Sequence, residues 1–488
     1  MASELKQKTV KGLAWNTIQN FTNHGVEFLL MLFMARLLGP KEYGLIGLTT
    51  VFMAIASTFV NSGFTNALIR KKDCTNDDFS TVFIFNLFIS VICYIIIFII
   101  APYVSDFYNE PVLCPVMRVL GLLLITQAFC AVQSTILTKN IDFKKRTKLT
   151  VSKNIISGLI GLLFAFLGFG VWALVIQALS ASILYSAMLW STTEWYPNLH
   201  FSKKSFKELF GYGSKLLISS LINQTYMQIY PIVIGKFFSA ATLGNYSRAR
   251  HWGLLGSKNI TNIIQGVTFP VLAKIQDDDE RLANIYRRMI RTSCFIIFPI
   301  MIGMSAVAKP LTTVVLGEKW EFSAYLLQII CFSQMWWPVQ KLNLNLLQVK
   351  GRSDLFLKLE IIKKILGICI LCISVPMGII AMCYFSVLSS LIAVYINTYY
   401  TGKLIHVGYL KQMRDIAPTL LLGMVMWVIV LSTIHFIPNK YIQLPVGILI
   451  GATIYVGGSY LLKFSELKEV LVIYKDFKNR KKTKHATS

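Results

Sequence analysis

The sequence predicts an all-α integral membrane protein, and three observations carry that prediction. Of its 488 residues, 55% are hydrophobic and only 15% are charged, where a soluble domain carries about 25% charged residues. The mean hydropathy is +0.59. Apolar stretches of about twenty residues, the length that crosses a bilayer as a helix, recur along the whole chain. A soluble core cannot hide that much apolar surface, so lipid must be the solvent for much of it.

Taken in order, spans are expected at 12–36, 44–66, 80–101, 116–138, 152–168, 171–191, 213–235, 246–270, 291–312, 323–347, 359–376, 378–400, 416–437 and 443–462, fourteen in all. The first follows Lys6, Lys8 and Lys11 and is broken by Asn16, Gln19, Asn20, Asn23 and His24. It lacks the clean apolar run and small-residue cleavage site of a removed signal peptide, so it is read as an uncleaved span. Two pairs of spans are joined by Gly168-Phe169-Gly170 and Pro376-Met377-Gly378. Such tight joints suit antiparallel helix hairpins.

The net charge of +25 sits in short blocks between apolar runs. The blocks have little aromatic interleaving, which argues against nucleic acid as a partner and for anionic membrane lipid. Alternate loops hold Arg70-Lys71-Lys72, Lys144-Lys145-Arg146, Lys203-Lys204, Lys274 to Arg288, Lys350 with Arg352, and Lys403 with Lys411. Both termini belong to this basic side, while the loop from Tyr103 to Pro115 has no Lys or Arg and carries Asp106 and Glu110. The positive-inside rule puts both termini in the cytoplasm, which requires an even number of spans. No outward loop exceeds about fifteen residues, so function is expected inside the helical bundle rather than in an external catalytic domain.

Several chemical-looking features have plainer readings. Cys369 and Cys372 form a C-x-x-C inside an apolar run, with no accompanying His or second pair, so metal and redox roles are not expected among the nine cysteines. Asp277-Asp278-Asp279 precedes an amphipathic helix, whose positive N-terminus suits acids. Gly447 and Gly451 are spaced to let helices approach closely. The chain contains no P-loop motif, so it does not bind ATP in that way.

The two halves resemble each other at an offset of about two hundred residues. Asn23 pairs with Asn223, His24 with Gln224, Arg36 with Lys236, Val132-Gln133 with Val339-Gln340, and Gly170 to Ser182 with Gly378 to Ser390. The expected organisation is therefore an N-lobe of six spans over 1–200, a C-lobe of six spans over 201–402, and two further spans with a basic tail over 403–488. A parallel repeat of this kind holds substrate between its lobes and exposes it to each side in turn.

Polar residues inside spans mark where lipid cannot be the neighbour. Asn16, Asn20, Asn23 and Glu27 fall at steps of four, three and four, on one helical face, with His24 beside them. Asn223 and Gln224 lie in span seven; Arg248, His251, Lys258 and Asn262 in span eight; Lys341, Asn343 and Asn345 in span ten. Together they are expected to line a cavity with more positive than negative groups, suited to an anionic substrate. Asn and Gln in such helices also bond neighbouring helices, and Arg248, Arg250, Lys309 and Lys319 can snorkel to a surface. Glu27 is a candidate for proton or cation coupling, or for a salt bridge to a base such as Lys258.

The segment Ala35-Arg36-Leu37-Leu38-Gly39-Pro40-Lys41-Glu42-Tyr43-Gly44 resembles a junction of bacterial polysaccharide transporters. So do Asn61-Ser62-Gly63-Phe64, Gly170-Val171-Trp172-Ala173-Leu174, Gly235-Lys236-Phe237, Leu243-Gly244-Asn245-Tyr246, Phe269-Pro270-Val271-Leu272 and the stretch from Leu346 to Ile365. The chain resembles, over essentially its whole length, the Wzx-type oligosaccharide flippases of the WzxC-like branch, in the multidrug/oligosaccharidyl-lipid/polysaccharide exporter superfamily. The resemblance implies a non-enzymatic flippase of the bacterial inner membrane that moves undecaprenyl-pyrophosphate-linked oligosaccharide units outward for surface polysaccharide biosynthesis. It implies no cofactor, with the membrane potential, H⁺ or Na⁺ as the open driving forces. A polysaccharide polymerase and a chain-length regulator are the implied protein partners. A drug or cation exporter of the same superfamily would call for an acid-rich cavity, and a polymerase or ligase for a sizeable outward loop.

Overall fold

The computed structural model describes residues 25–26, 29–60, 64–140, 142–198 and 200–469. The described residues are helical, with no strand among them. They form two compact units, Met1–Gly244 and Asn245–Ser488.

The first unit contains α1 (29–37), α2 (Pro40–Val60), α3 (Phe64–Arg70), α4 (Asn76–Tyr108), α5 (Leu113–Lys139), α6 (Phe143–Phe166), α7 (Val171–Thr192) and α8 (Lys203–Phe237). Helices α4 and α5 form one hairpin and α6 and α7 another, with α5 packed on α7 and α2 on α8. Thr75 starts α4 with a capping box, its hydroxyl accepting from the Asp78 N–H while the Asp78 carboxylate accepts from the Thr75 N–H. Asn109 ends it in the left-handed conformation. The turn into α7 needs two glycines, because Gly168 and Gly170 both have positive φ, 80° and 54°.

Family-like motifs meet within this unit. A Cβ on Gly44 would overlap the carbonyl of Ala240, and one on Gly244 would overlap the carbonyl of Pro40. The α1–α2 joint and the start of the next helix, α9 (Ala240–Ala273), thus touch backbone to backbone. Glycine is required there by contact rather than by a dihedral angle.

The second unit takes up α9 from Asn245 and adds α10 (Asp279–Ala306), α11 (Ala308–Leu316), α12 (Glu321–Gln334), α13 (Trp337–Val349), α14 (Ser353–Ser374), α15 (Ile379–Ile405), α16 (Tyr409–His435) and α17 (Lys440–Leu461). Helix α10 packs on α16, and α12, α13 and α14 all pack on α15. Three arginines of α10 tie down the end of the described chain and its neighbour. Arg287 donates two bonds of 2.7 Å to Asp415, Arg288 meets Glu469 at 2.6 Å, and Arg291 meets Glu466 at 3.3 Å.

Among the described residues, every expected span from 44–66 to 443–462 has helix at its place; span 44–66 is described as α2 and α3 on either side of residues 61–63, and two further spans are broken. Span 291–312 divides at Val307, because Pro310 has no N–H for the Ala306 carbonyl four residues earlier. Span 323–347 divides at Met335 and Trp336, where Pro338 leaves the Gln334 carbonyl without its helical donor. Packing also divides the chain at a different place from the sequence repeat. Helix α8, which the repeat assigns to the second lobe, packs on α2, α3 and α4 in the first unit.

Among the described residues, nine helices are long and apolar enough to cross a membrane: α2, α4, α5, α6, α7, α10, α15, α16 and α17. Helices α8 and α9 are longer than most of these, at 35 and 34 residues, yet too polar to join them. Charges interrupt α14 in the same way, and α12 and α13 have 14 and 13 residues. Two of the elements that fall short on polarity, α9 and α14, carry the candidate site together with the short α13.

Candidate anion-binding site

Helix α9 carries a polar stripe. Arg248, His251, Lys258 and Asn262 follow one another at steps of three, seven and four, which keeps them on one helical face. His251, Lys258 and Asn262 are exposed. Such a face cannot rest against hydrocarbon, so it meets water or polar partners. At one end of the stripe, the Arg248 guanidinium lies over the Trp320 ring, 5.4 Å from its centre.

Lys341 enters from α13, one turn after the break at Met335 and Trp336. It is half-buried, and its ammonium lies 5.1 Å from the centre of the Trp337 ring. An aromatic face is a favourable neighbour for a desolvated cation. Asn345 sits one turn further on the same face. The charges of Glu360, Lys363 and Lys258 all act on Lys341. Glu360 and Lys363 both belong to α14, where their i, i+3 spacing brings the Lys363 ammonium 2.5 Å from the Glu360 carboxylate.

Among the described residues, three helices therefore bring three lysines and one carboxylate into one neighbourhood, for a formal balance of three minus one, or +2. Among the described residues, neither Lys258 nor Lys341 has a carboxylate within salt-bridge distance. Like charges gathered in half-buried surroundings repel one another unless an anion joins them. The arrangement is suited to holding a small anion of about two negative charges. No group of acids, histidines and cysteines among the described residues could hold a metal ion.

The other expected site residues are distributed as follows. Asn16, Asn20, Asn23, His24, Glu27 and Asn61 lie outside the described residues. Asn223, exposed, and Gln224, half-buried, are in the first unit on α8. Asn343 follows the second reading given above for amides in spans. It is fully buried and faces α16, where it exchanges two hydrogen bonds of 3.0 Å with Gln412, so it binds helices together instead of lining a cavity. Lys309 pairs with Glu321 at 2.8 Å on an exposed surface. Sequence pattern did not single out Glu360 and Lys363, although both fall inside the expected span 359–376; charge at i, i+3 within an apolar run was the available signal.

Residues 33–325 match the family described as "Polysaccharide biosynthesis protein". The chain belongs to that family. Among its relatives is the lipopolysaccharide biosynthesis protein WzxC of Escherichia coli K12, 25% identical over 370 residues, covering 75% of this chain and 74% of that one. The teichuronic acid biosynthesis protein TuaB of Bacillus subtilis 168 is 24% identical over 464 residues, covering 92% and 95%. Among solved structures, the lipid II flippase MurJ in an inward closed conformation shares the fold with a TM-score of 0.73 at 14% identity, covering 92% of this chain and 99% of that one. With nine helices of spanning length and apolarity among the described residues, this member of the polysaccharide biosynthesis family is a multi-pass membrane protein. The resemblance to Wzx-type flippases noted in the sequence agrees with the WzxC relationship.

Proposed function

We propose that this protein is a flippase that carries oligosaccharide repeat units on undecaprenyl pyrophosphate from the cytoplasmic to the outer leaflet of the bacterial inner membrane. The product would feed surface polysaccharide assembly. Lys258, Lys341 and Lys363 hold the pyrophosphate, whose two phosphodiester-like charges match the +2 balance of the cluster. Asn262 and Asn345, on the same helical faces as Lys258 and Lys341, offer hydrogen bonds to the first sugar. The lipid tail stays in the bilayer.

The observation that carries this proposal is the convergence of three lysines from two polar helices, α9 and α14, and the short α13, in a member of a polysaccharide biosynthesis family. A drug or cation exporter would need the opposite sign of charge at this place. Fourteen spans with both termini in the cytoplasm, two six-span lobes and alternating access complete the proposal. A polymerase and a chain-length regulator would take up the product. An inside-negative potential favours outward movement of an anion by about 2.3 kcal/mol per charge per 100 mV. That can give direction without a cofactor, and H⁺ or Na⁺ coupling would add to it.

Deletion of the gene tests the proposal. Lipid-linked repeat units should accumulate on the cytoplasmic leaflet and surface polysaccharide should disappear. Normal surface polysaccharide, with no accumulation, would reject it.

A further inference from the structure

We propose that Glu360 is a resident counter-ion that the substrate's diphosphate displaces, so that Glu360 governs how readily the bound lipid is released. The inference rests on the reading that the lysine cluster holds a diphosphate.

Glu360 is the carboxylate, among the described residues, whose charge acts on Lys341. It pairs with Lys363 at 2.5 Å, and both side chains are largely covered, at 32% and 15% exposure. Its charge also reaches Lys341, which has no carboxylate of its own at salt-bridge distance among the described residues. Seven residues separate Glu360 from the start of α14 at Ser353, which places it about 10 Å along the helix axis. Lys341 stands nine residues before Lys350, about 13 Å from the same end of the neighbouring helix. The two groups thus lie at similar depth on helices that contact each other.

A carboxylate and a phosphate compete for the same ammonium groups, because each offers oxygen acceptors to charged N–H donors. With the site empty, Glu360 lowers the repulsion among the lysines. When a diphosphate enters, it supplies two charges and Glu360 must yield Lys363. The carboxylate then stands ready to take the lysine back, which weakens the bound anion and speeds its departure. A cluster of lysines alone would bind more tightly and release more slowly. Net charge therefore sets an order of affinities: +3 for Glu360→Gln, +2 for the wild type, +2 for Glu360→Gln with Lys363→Gln, and +1 for Lys363→Gln, by removing each charge in turn from the balance above.

The test uses the full-length purified protein and farnesyl diphosphate as the probe, with farnesyl monophosphate for comparison. Glu360→Gln should bind the diphosphate about tenfold more tightly than wild type, and Lys363→Gln about tenfold more weakly, on the scale of one unit charge in half-buried surroundings. The double variant should return close to wild type, and it keeps the test usable if either single variant folds poorly. Glu360→Gln should also transport more slowly at saturating substrate. Wild type that binds no diphosphate lipid would reject the functional reading itself. Wild type that binds, with Glu360→Gln equal or weaker, would overturn the counter-ion role alone. Equal binding by all four proteins with lowered melting temperatures of the single variants would also overturn it, leaving the pair as a helix-stabilising contact.

Discussion

Asn343 on α13 and Gln412 on α16 hold each other by two hydrogen bonds, each 3.0 Å long, where neither side chain is exposed. Gln412 also donates to the carbonyl of Val407 at 2.9 Å, which ties the turn between α15 and α16 to the same point. Every polar atom lost here strands another in an apolar interior. Asn343→Ala should therefore lower stability by about 1–3 kcal/mol, and leucine at both positions should recover much of that loss. Thermal melting of the purified protein in detergent checks both. Transport per folded molecule should change little, and a melting temperature equal to wild type for Asn343→Ala would count against the pairing.

The glycines where the start of α2 meets the start of α9 give a sharper outcome. Gly44→Ala and Gly244→Ala both drive a methyl group into backbone, against Ala240 and Pro40 respectively. Backbone cannot rotate aside as a side chain can, so each should cost at least the 1–3 kcal/mol typical of overpacking, roughly, and sharply reduce folded protein. Gly211, on α8, has nothing within 4 Å of an added Cβ. Gly211→Ala should be tolerated or slightly stabilising, since alanine suits a helix better than glycine. Fluorescence-detected size exclusion of the three variants compares them directly.

Orientation follows from loop charge and can be read by labelling. Asp106, near the end of α4, and Arg352, between α13 and α14, are both exposed and belong to loops of opposite predicted side. In a background without reactive cysteines, Asp106→Cys in right-side-out vesicles should react with an impermeant maleimide. Arg352→Cys should react only after the vesicles are opened. The reverse pattern would invert the topology.

Much of the helical layout was legible because a bilayer imposes length and apolarity on each span, and because Gly168, Gly170 and Gly378 punctuate the hairpins with turns that their positive φ angles require. The helix breaks are partly legible: Pro338 lies inside an expected span, where proline signals a break, while Pro310 lies near a span end, where proline is ordinary. Lys258 and Lys341 stood out because ammonium groups are costly in an apolar run. Glu360 and Lys363 did not, since charges near one end of a span look like ordinary interfacial residues until a neighbouring helix brings Lys341 beside them. Asn343 stayed open between two readings for a related reason. An amide in a helix satisfies a neighbour or a cavity equally well, and only the position of Gln412 decides between them.

Lys341 should be the least replaceable of the three lysines, because α13 presents it at the break and Trp337 holds its ammonium in place. Lys341→Arg keeps the charge with altered geometry and should retain part of the transport. Lys341→Gln should abolish polysaccharide export while leaving the amount of folded protein unchanged. A quantitative immunoblot beside a surface-polysaccharide assay separates the two effects, and a loss of folded protein that matches the loss of export would make Lys341 structural.

The most direct measurement is transport by the purified protein in proteoliposomes loaded with a lipid-linked repeat unit in one leaflet. Accessibility of the sugar to an external glycan-modifying enzyme reports its movement across the bilayer. Wild-type protein should expose the sugar many times faster than empty liposomes, an inside-negative potential should speed outward movement, and the variant with Lys258, Lys341 and Lys363 all changed to glutamine should match empty liposomes. Transport by that triple variant at the wild-type rate would contradict the assignment of these lysines to the pyrophosphate, and no transport by correctly folded wild type would contradict the proposed function.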